Sequence, residues 1–462
     1  MADNAGTVFD VVILGGGSGG YAAALRGAQL GLSVALIEKD KLGGTCLHRG
    51  CIPTKALLHA GEVADSARES AQFGVNATFE SIDMGGVNKY KDGVVAKLYK
   101  GLQGLVKSRG ITYVEGYGKL VAPNAVEVEG TRYEGRNVVL ATGSVSRSLP
   151  GLDVDGQRVV TSEHALQLDR VPSSVVVLGG GVIGVEFASA WKSFGVEVTI
   201  VEALPRLVPA EDEQTSKALE RAFRKRGINF KTGVRFSGVQ HTDSGVRVSL
   251  ENGESIDAEL LLVAVGRGPN ATGMGFEEQG VAMERGWVLA NERLQTNVPN
   301  VYAVGDIVPG LQLAHRGFAQ GIFVAEEIAG LNPAPIDELG IPRVTYCEPE
   351  IASVGLNENA AREKYGQDEV ETLTYDLAGN GKSQILKTQG FVKLIRQKGG
   401  PVVGVHIVGS RAGELVGEAQ LIYNWEAFPE EVAQLVHAHP TQNEALGEAH
   451  LALAGKPLHA HG

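Results

Sequence analysis

Cysteine is scarce in this chain: among 462 residues there are three, Cys46, Cys51 and Cys347. So few thiols exclude a secreted fold stapled by disulfides. Long apolar runs are lacking too. The longest, such as the one ending at Val265, are strand-length, whereas a membrane span needs about 20 residues, so no membrane partner is expected. Met1–Val8 shows no basic region followed by an apolar stretch, so neither a signal nor a transit peptide is expected, and the expected compartment is the reducing cytoplasm. No block of like charge forms a tail, and a net charge of -12 argues against a nucleic-acid partner. What the chain has in excess is glycine, 62 residues, nearly twice the usual share of about 7%. Tight turns and close backbone approach to ligands explain such an excess. The length implies two to four domains.

A pattern occurs twice. Val8–Leu14 reads as a buried parallel strand running into Gly15-Gly16-Gly17-Ser18-Gly19-Gly20, then an alanine-rich helix over 21–30, then a strand over 33–37 ending at Glu38. Later, Ser174–Leu178 runs into Gly179-Gly180-Gly181-Val182-Ile183-Gly184, a helix over 185–194, and a strand over 197–201 ending at Glu202. In both copies the acid lies 23 residues beyond the first glycine. One G-x-G-x-x-G is weak evidence, but strand, helix and distal acid around each copy supply the context of a dinucleotide site. The first glycine (Gly15, Gly179) permits the turn, and the second (Gly17, Gly181) lets pyrophosphate approach the backbone. The third (Gly20, Gly184) lets helix and strand pack, while the carboxylate accepts from ribose hydroxyls. The helix N-terminus adds free N–H groups and partial positive charge. Glu202 favours NAD over NADP, because a carboxylate there repels a 2′-phosphate. Arg206, the one nearby cation, reads as a solvated surface residue.

Cys46 and Cys51 lie in Gly43-Gly44-Thr45-Cys46-Leu47-His48-Arg49-Gly50-Cys51-Ile52-Pro53-Thr54-Lys55, soon after the first ribose-binding acid. A disulfide needs Cα atoms within about 7 Å. Five residues of regular helix rise about 7.5 Å, so a bridge here requires a distorted turn, for which Gly50 and Pro53 are suited. On its own the pair leaves redox, metal and ordinary core readings open. Its position beside a dinucleotide turn favours redox chemistry. Near the C-terminus, Pro440 suits the first position of a helix, which would place His439 at its entrance and Glu444 about a turn later. A carboxylate so placed can orient an imidazole and stabilise its protonated form. Cys347 reads as structural, and His450, His459 and His461 as surface residues. No metal site is expected.

Together, Gly43–Lys55, the two glycine fingerprints, Ala141-Thr142-Gly143, Gly266-Arg267, Gly305-Asp306 and the His439-Pro440-Thr441 segment resemble the pyridine nucleotide–disulfide oxidoreductases of class I. The resemblance covers about Phe9 to Leu453 and is to the branch that oxidises protein-bound dihydrolipoyl groups. It implies FAD in the first site and NAD in the second. It implies that Cys46 exchanges with substrate and Cys51 stacks against the flavin, with Lys55 near the flavin and Glu186 as its ion-pair partner. Asp306, Ala314 and Gly118 match flavin contacts, and Val182 matches the residue covering the nicotinamide pocket. Gly44, Thr45, Thr142, Gly143 and Ser144 are further candidate FAD contacts, and Val234 and Gly266 further NAD contacts. His439 matches the acid–base residue, Glu444 its partner, and His437 a neighbour. In the family this pair reaches the disulfide of the other subunit, which implies a homodimer. His48, where many relatives carry asparagine, departs from the pattern.

The expected fold is α/β: two Rossmann-like dinucleotide-binding domains and a C-terminal α+β dimerisation domain. We read 1–150 and 272–340 as the FAD-binding and central domain, 151–271 as the NAD-binding domain, and 341–462 as the interface domain. The expected partners are lipoyl-bearing proteins of 2-oxoacid dehydrogenase or glycine-cleavage complexes. The competing readings are an NAD(P)H-dependent reductase of a low-molecular-weight disulfide and a non-catalytic, NADH-sensing flavoprotein.

Overall fold

Valine-rich strands set the frame. In the computed structural model, which describes residues 8–460, β1 (Val8–Leu14) is buried from Val11 to Leu14. It pairs in parallel with β2 (Val34–Glu38), Val11 opposite Val34, and with β6 (Thr131–Leu140), Leu14 opposite Leu140. Strands buried on both faces are what a parallel sheet covered by helices requires. The sheet runs β3 (Thr112–Glu115), β2, β1, β6, β5 (Ala125–Val128), β4 (Gly118–Ala122), the last three joined antiparallel. The strand Val301–Ala303 pairs with β6, Val301 opposite Val138, so a segment distant in sequence completes this sheet.

Between β1 and β2 lies α1 (Ser18–Gln29). After β2 come α2 (Gly44–Arg49), α3 (Cys51–Glu69) and α4 (Met84–Ser108). Helix Ala314–Ile328 packs on α1 through glycine: a Cβ on Gly321 would lie 2.2 Å from the Gly19 carbonyl oxygen. Any side chain there would push the two helices apart.

The second glycine turn repeats the geometry. Ser174–Leu178, helix Val182–Ser193 and Glu197–Glu202 form a β-α-β unit in a five-stranded parallel sheet, with Val175 opposite Val198. A three-stranded antiparallel sheet follows (Phe236–His241, Val246–Leu250, Ser255–Ala258). From residue 343 on, five antiparallel strands are built around Glu350–Gly355 and Val402–Gly409. They carry helices Ala412–Asn424 and Glu444–Leu453 over one core.

After helix Ala412–Asn424 comes a single helical turn, Pro429–Val432, and Leu435 and Val436 beyond it are exposed. One helix expectation is corrected. Pro440 does not open a helix: its bond to His439 is cis, and the helix starts at Glu444. The histidine therefore sits in a loop ahead of the helix. Met1–Thr7, on which the expectation of no signal peptide mostly rests, and His461 lie outside the described residues. Among the described residues no helix is long and apolar enough to cross a membrane.

Candidate functional site

Each glycine turn forms a cradle that a side chain would destroy. A Cβ on Gly15 would lie 2.2 Å from the Ala141 carbonyl oxygen, and one on Gly20 1.8 Å from that of Gly15. In the second copy, Gly179 would meet the Ala264 oxygen at 2.3 Å and Gly184 the Gly179 oxygen at 1.9 Å. Gly17 and Gly181 behave oppositely: a Cβ on either meets nothing within 4 Å. The first and third glycines thus serve the protein's own packing, while the second faces open space. Gly17 and Gly181 are the N-caps of their helices, neither of which has a side-chain cap or an acid in its first turn. The free N–H groups and the helix dipole are left for an anion. Glu38 accepts from the Gly16 N–H (2.7 Å) and the Asp40 N–H (2.9 Å), and Glu202 from the Gly180 N–H (2.6 Å) and the Leu204 N–H (2.7 Å). Both carboxylates are aimed identically at the turn, with lone pairs to spare for ribose hydroxyls. These features fit a dinucleotide pyrophosphate and ribose at both places.

Around the first turn, a cleft is lined by Gly15, Glu38, Gly118, Thr142 and Asn270. Thr142 donates to the Asn270 carbonyl (2.6 Å), and Gly143 takes a positive φ of 75° beside it. Ser144 receives a hydrogen bond from Arg267 Nε (2.8 Å) and donates to Asp306 Oδ2 (2.6 Å). Ala314 opens the helix that packs on α1. In the second copy Val182 begins its helix 43% exposed. The Val234 N–H donates to the Glu202 carbonyl (3.2 Å), and Gly266 has φ 103°. Arg206 is not the solvated residue expected. It donates to the Pro209 and Glu211 carbonyls and pairs with Glu213, because the turn 207–213 folds back around it.

The thiol pair is placed by glycine contact. Gly43 donates to the Gly16 carbonyl (2.9 Å), and a Cβ on Gly44 would lie 2.8 Å from the Gly17 Cα. The start of α2, with Thr45, is thereby pressed onto the first dinucleotide turn. Cys46 lies on α2 and Cys51 opens α3, with the break at Gly50 (φ −141°, ψ −111°). A Cβ at Gly50 would press on the Thr45 carbonyl at 3.0 Å. The regular helix that would separate the two sulfurs is interrupted between them. Both are free, half-buried thiols. Cys51 is held below the ordinary thiol range by the hydrogen bond from Cys46 and by the Lys55 ammonium, against its burial and the Glu186 charge. Cys46, the donor of that bond and itself buried, is pushed up. The arrangement makes Cys51 the more acidic thiol of the pair and Cys46 its hydrogen-bond donor.

Lys55 lies one turn along α3. Its Nζ reaches Glu186 Oε1 (3.0 Å) and Oε2 (2.8 Å) on helix Val182–Ser193. Burial alone would depress this lysine, but the charge and hydrogen bonds of Glu186 raise it on balance. Tyr346 was not foreseen here: its N–H donates to Glu186 (2.9 Å), and its ring centroid lies 4.7 Å from the ammonium. His48 donates to the Leu42 carbonyl (2.8 Å) edge-on to Tyr99. Cys347 is buried and donates to the Pro349 carbonyl.

The histidine pair is built within the C-terminal segment. His439 Nδ1 lies 2.8 Å from Glu444 Oε1, and the Thr441 N–H donates to Glu444 Oε2 (2.7 Å). Burial would raise the Glu444 carboxyl, but those two bonds lower it on balance. The imidazole itself is 77% exposed. His437 pairs elsewhere, with Glu418 at 2.8 Å, which raises it above the ordinary imidazole range. His459 is exposed and bound to Glu448, as a surface residue would be. His450 is not at the surface: it is fully buried and bonded to the Leu446 carbonyl, because it falls on the inner face of helix Glu444–Leu453. No group of three or more metal-ligating side chains occurs among the described residues.

Comparison with known proteins matches this geometry to a family. Residues 9–321 match the family model described as pyridine nucleotide-disulphide oxidoreductase, and 341–450 match that family's dimerisation domain. The chain is 42% identical to a dihydrolipoyl dehydrogenase of Bacillus subtilis, covering 98% of this chain and 99% of that one. It is 40% identical to the mitochondrial dihydrolipoyl dehydrogenase of Pisum sativum, covering 97% and 92%. The crystal structure of LpdA from Mycobacterium tuberculosis superposes with a TM-score of 0.90 at 27% identity, over 96% of this chain and 99% of that one.

Proposed function

The chain belongs to the pyridine nucleotide–disulphide oxidoreductase family, and from that premise we infer that its activity is that of a dihydrolipoyl dehydrogenase, oxidising protein-bound dihydrolipoyl groups with FAD and NAD. The observation that carries the reading is the seating of Gly44 on Gly17, which sets Cys46 and Cys51 beside the first dinucleotide turn. Gly15, Gly17, Gly20, Glu38, Gly118 and Asp306 would hold FAD, and Gly179, Gly181, Gly184 and Glu202 would hold NAD. FAD held there would supply an acceptor for the electron pair of the reduced thiols, and NAD the final hydride acceptor.

The chain's own residues perform the exchange. His439, oriented by Glu444, takes the proton of one dihydrolipoyl thiol. The resulting thiolate attacks Cys46 of the oxidised pair, forming a mixed disulfide and releasing Cys51 as thiolate. Lys55 favours that charge, and once Cys46 is reduced its thiol adds a hydrogen bond to it. The second substrate thiol then loses its proton to solvent and displaces Cys46, which takes up the proton held on His439, so oxidised lipoyl leaves and the enzyme keeps both electrons and one proton. Because His439 lies exposed, beside Leu435 (58%) and Val436 (98%), we assign it to the thiol pair of a second copy. A homodimer is supported by the dimerisation-domain match over 341–450. We assign the FAD-binding and central domain to 1–150 with 272–340, which the pairing of Val301–Ala303 with β6 supports. The NAD-binding domain is then 151–271 and the interface domain 341–462. Lipoyl-bearing proteins of 2-oxoacid dehydrogenase or glycine-cleavage complexes are the partners we propose, and the cysteine usage suits the cytoplasm.

The test is His439→Gln in the FAD-loaded dimer. Turnover of dihydrolipoamide should fall by about a hundredfold or more, as for loss of a general base, with FAD retained. Wild-type turnover in that variant would refute the role.

A further inference from the structure

The acid–base histidine stands on a loop with little structure of its own. Between Val432 and Glu444 there is no regular element. Leu435 and Val436 project outward, and His439 itself is 77% exposed. An imidazole that must meet a sulfur across a subunit boundary needs its backbone fixed to a fraction of an ångström. The fixing cannot come from Glu444 alone, which holds the His439 ring and the Thr441 N–H but not the stretch before His439.

Glu418 supplies it from outside the segment. It lies on helix Ala412–Asn424, which packs on the C-terminal sheet. Its Oε1 accepts from His437 Nε2 (2.8 Å) and its Oε2 from Asn443 Nδ2. Those two residues flank His439 on either side. One carboxylate thus ties both ends of the loop to one helix, and its two oxygens are committed to different donors. The surroundings are fitted to this arrangement. The His437 ring lies over Gly447, where a Cβ would come within 2.5 Å of Nδ1, so the helix carries no side chain at the place the ring occupies. The middle of the loop has one further tether, Asn380 Nδ2 donating to the Thr441 carbonyl (3.0 Å).

We propose that Glu418 is the positioning residue of the acid–base loop, holding His437 and Asn443 so that His439 projects at the angle disulfide exchange requires. The proposal rests on the reading of His439 as the acid–base residue. Glu418 touches no reacting atom and acts through His439.

The experiment is a double-mutant cycle on the FAD-loaded dimer with dihydrolipoamide and NAD. Glu418→Ala should lower kcat by about tenfold to a hundredfold, the loss that a misplacement of about 1 Å produces, with KM for NAD unchanged. Glu418→Gln keeps an oxygen for His437 and an amide that can pair with the Asn443 side chain, and it should recover most of the rate. Combined with His439→Gln, Glu418→Ala should cost nothing further, because a positioning residue has no effect once the group it positions is gone. Wild-type kcat in Glu418→Ala would overturn the proposal. So would a full additional loss on top of His439→Gln, which marks a purely structural role. If Glu418→Ala does not form the dimer, Asn443→Ala, which removes one of the two tethers, takes its place with the same outcomes. The two readings fail differently. An active His439→Gln variant removes the acid–base assignment, whereas a crippled His439→Gln beside a fully active Glu418→Ala removes only the positioning role.

Discussion

Lys55 and Glu186 should have opposite effects on Cys51 although they form one ion pair. Glu186 is 3% exposed and holds Lys55 through both oxygens, while the lysine side chain is 33% exposed. Removing one partner of a fully buried pair costs about 3–5 kcal/mol. Because water reaches a third of Lys55, we expect about 2 kcal/mol for Glu186→Gln. Lys55→Met should cost more, since it strands the buried carboxylate. The thiol reports the signs. Lys55 lowers Cys51 and Glu186 raises it, so Lys55→Met should push Cys51 up and Glu186→Gln should let it fall further. Each unit of displacement changes the thiolate fraction about tenfold below the pKa. The assay is the pH dependence of alkylation of Cys51 in a Cys46→Ser background, with denaturant unfolding of each variant alongside. Shifts of Cys51 in the same direction in both variants would refute the electrostatic reasoning.

Two other outcomes follow from geometry. Gly17→Ala should fold with an unchanged melting temperature, because its φ of −73° and open surroundings accept a methyl. It should nonetheless bind FAD more weakly in a fluorescence titration, whereas Gly20→Ala should be destabilised before any ligand is added. His450 is buried and held by that burial at about 4. A histidine depressed on folding binds its proton more readily in the unfolded chain. The native state therefore loses stability as pH falls from about 6.5 to about 4, by roughly 3 kcal/mol. His450→Asn should show a shallower loss across that window in denaturant titrations and no difference in slope above pH 7.

The features legible in the sequence were those written locally. A strand, a glycine turn, a helix and an acid at fixed distance form one contiguous unit. Glu38 and Glu202 accordingly stand at equivalent places in the two copies. Gly50 between the cysteines was readable for the same reason, since helix rise and disulfide reach conflict over five residues. What sequence reading missed depends on chain segments meeting in space. Tyr346 reaches a glutamate 160 residues away. Gly317 and Gly321 matter only because α1 offers Gly19 to them. Arg206 was judged by its charge, with no view of the two carbonyls that fold over it. His450 was judged by residue type, although Leu446, Ala449, His450 and Leu453 follow the spacing of one helix face, which would have placed it inside. Pro440 was read as a helix opener, and nothing local distinguishes that role from a turn.

The central claim is that a dithiol substrate gives up its electrons through Cys46. Its most direct test is NAD reduction by dihydrolipoamide in the FAD-loaded dimer, with and without Cys46→Ser. The wild-type chain should form NADH steadily, and the variant should fall to background while retaining FAD. NADH formation by Cys46→Ser at the wild-type rate would contradict the account.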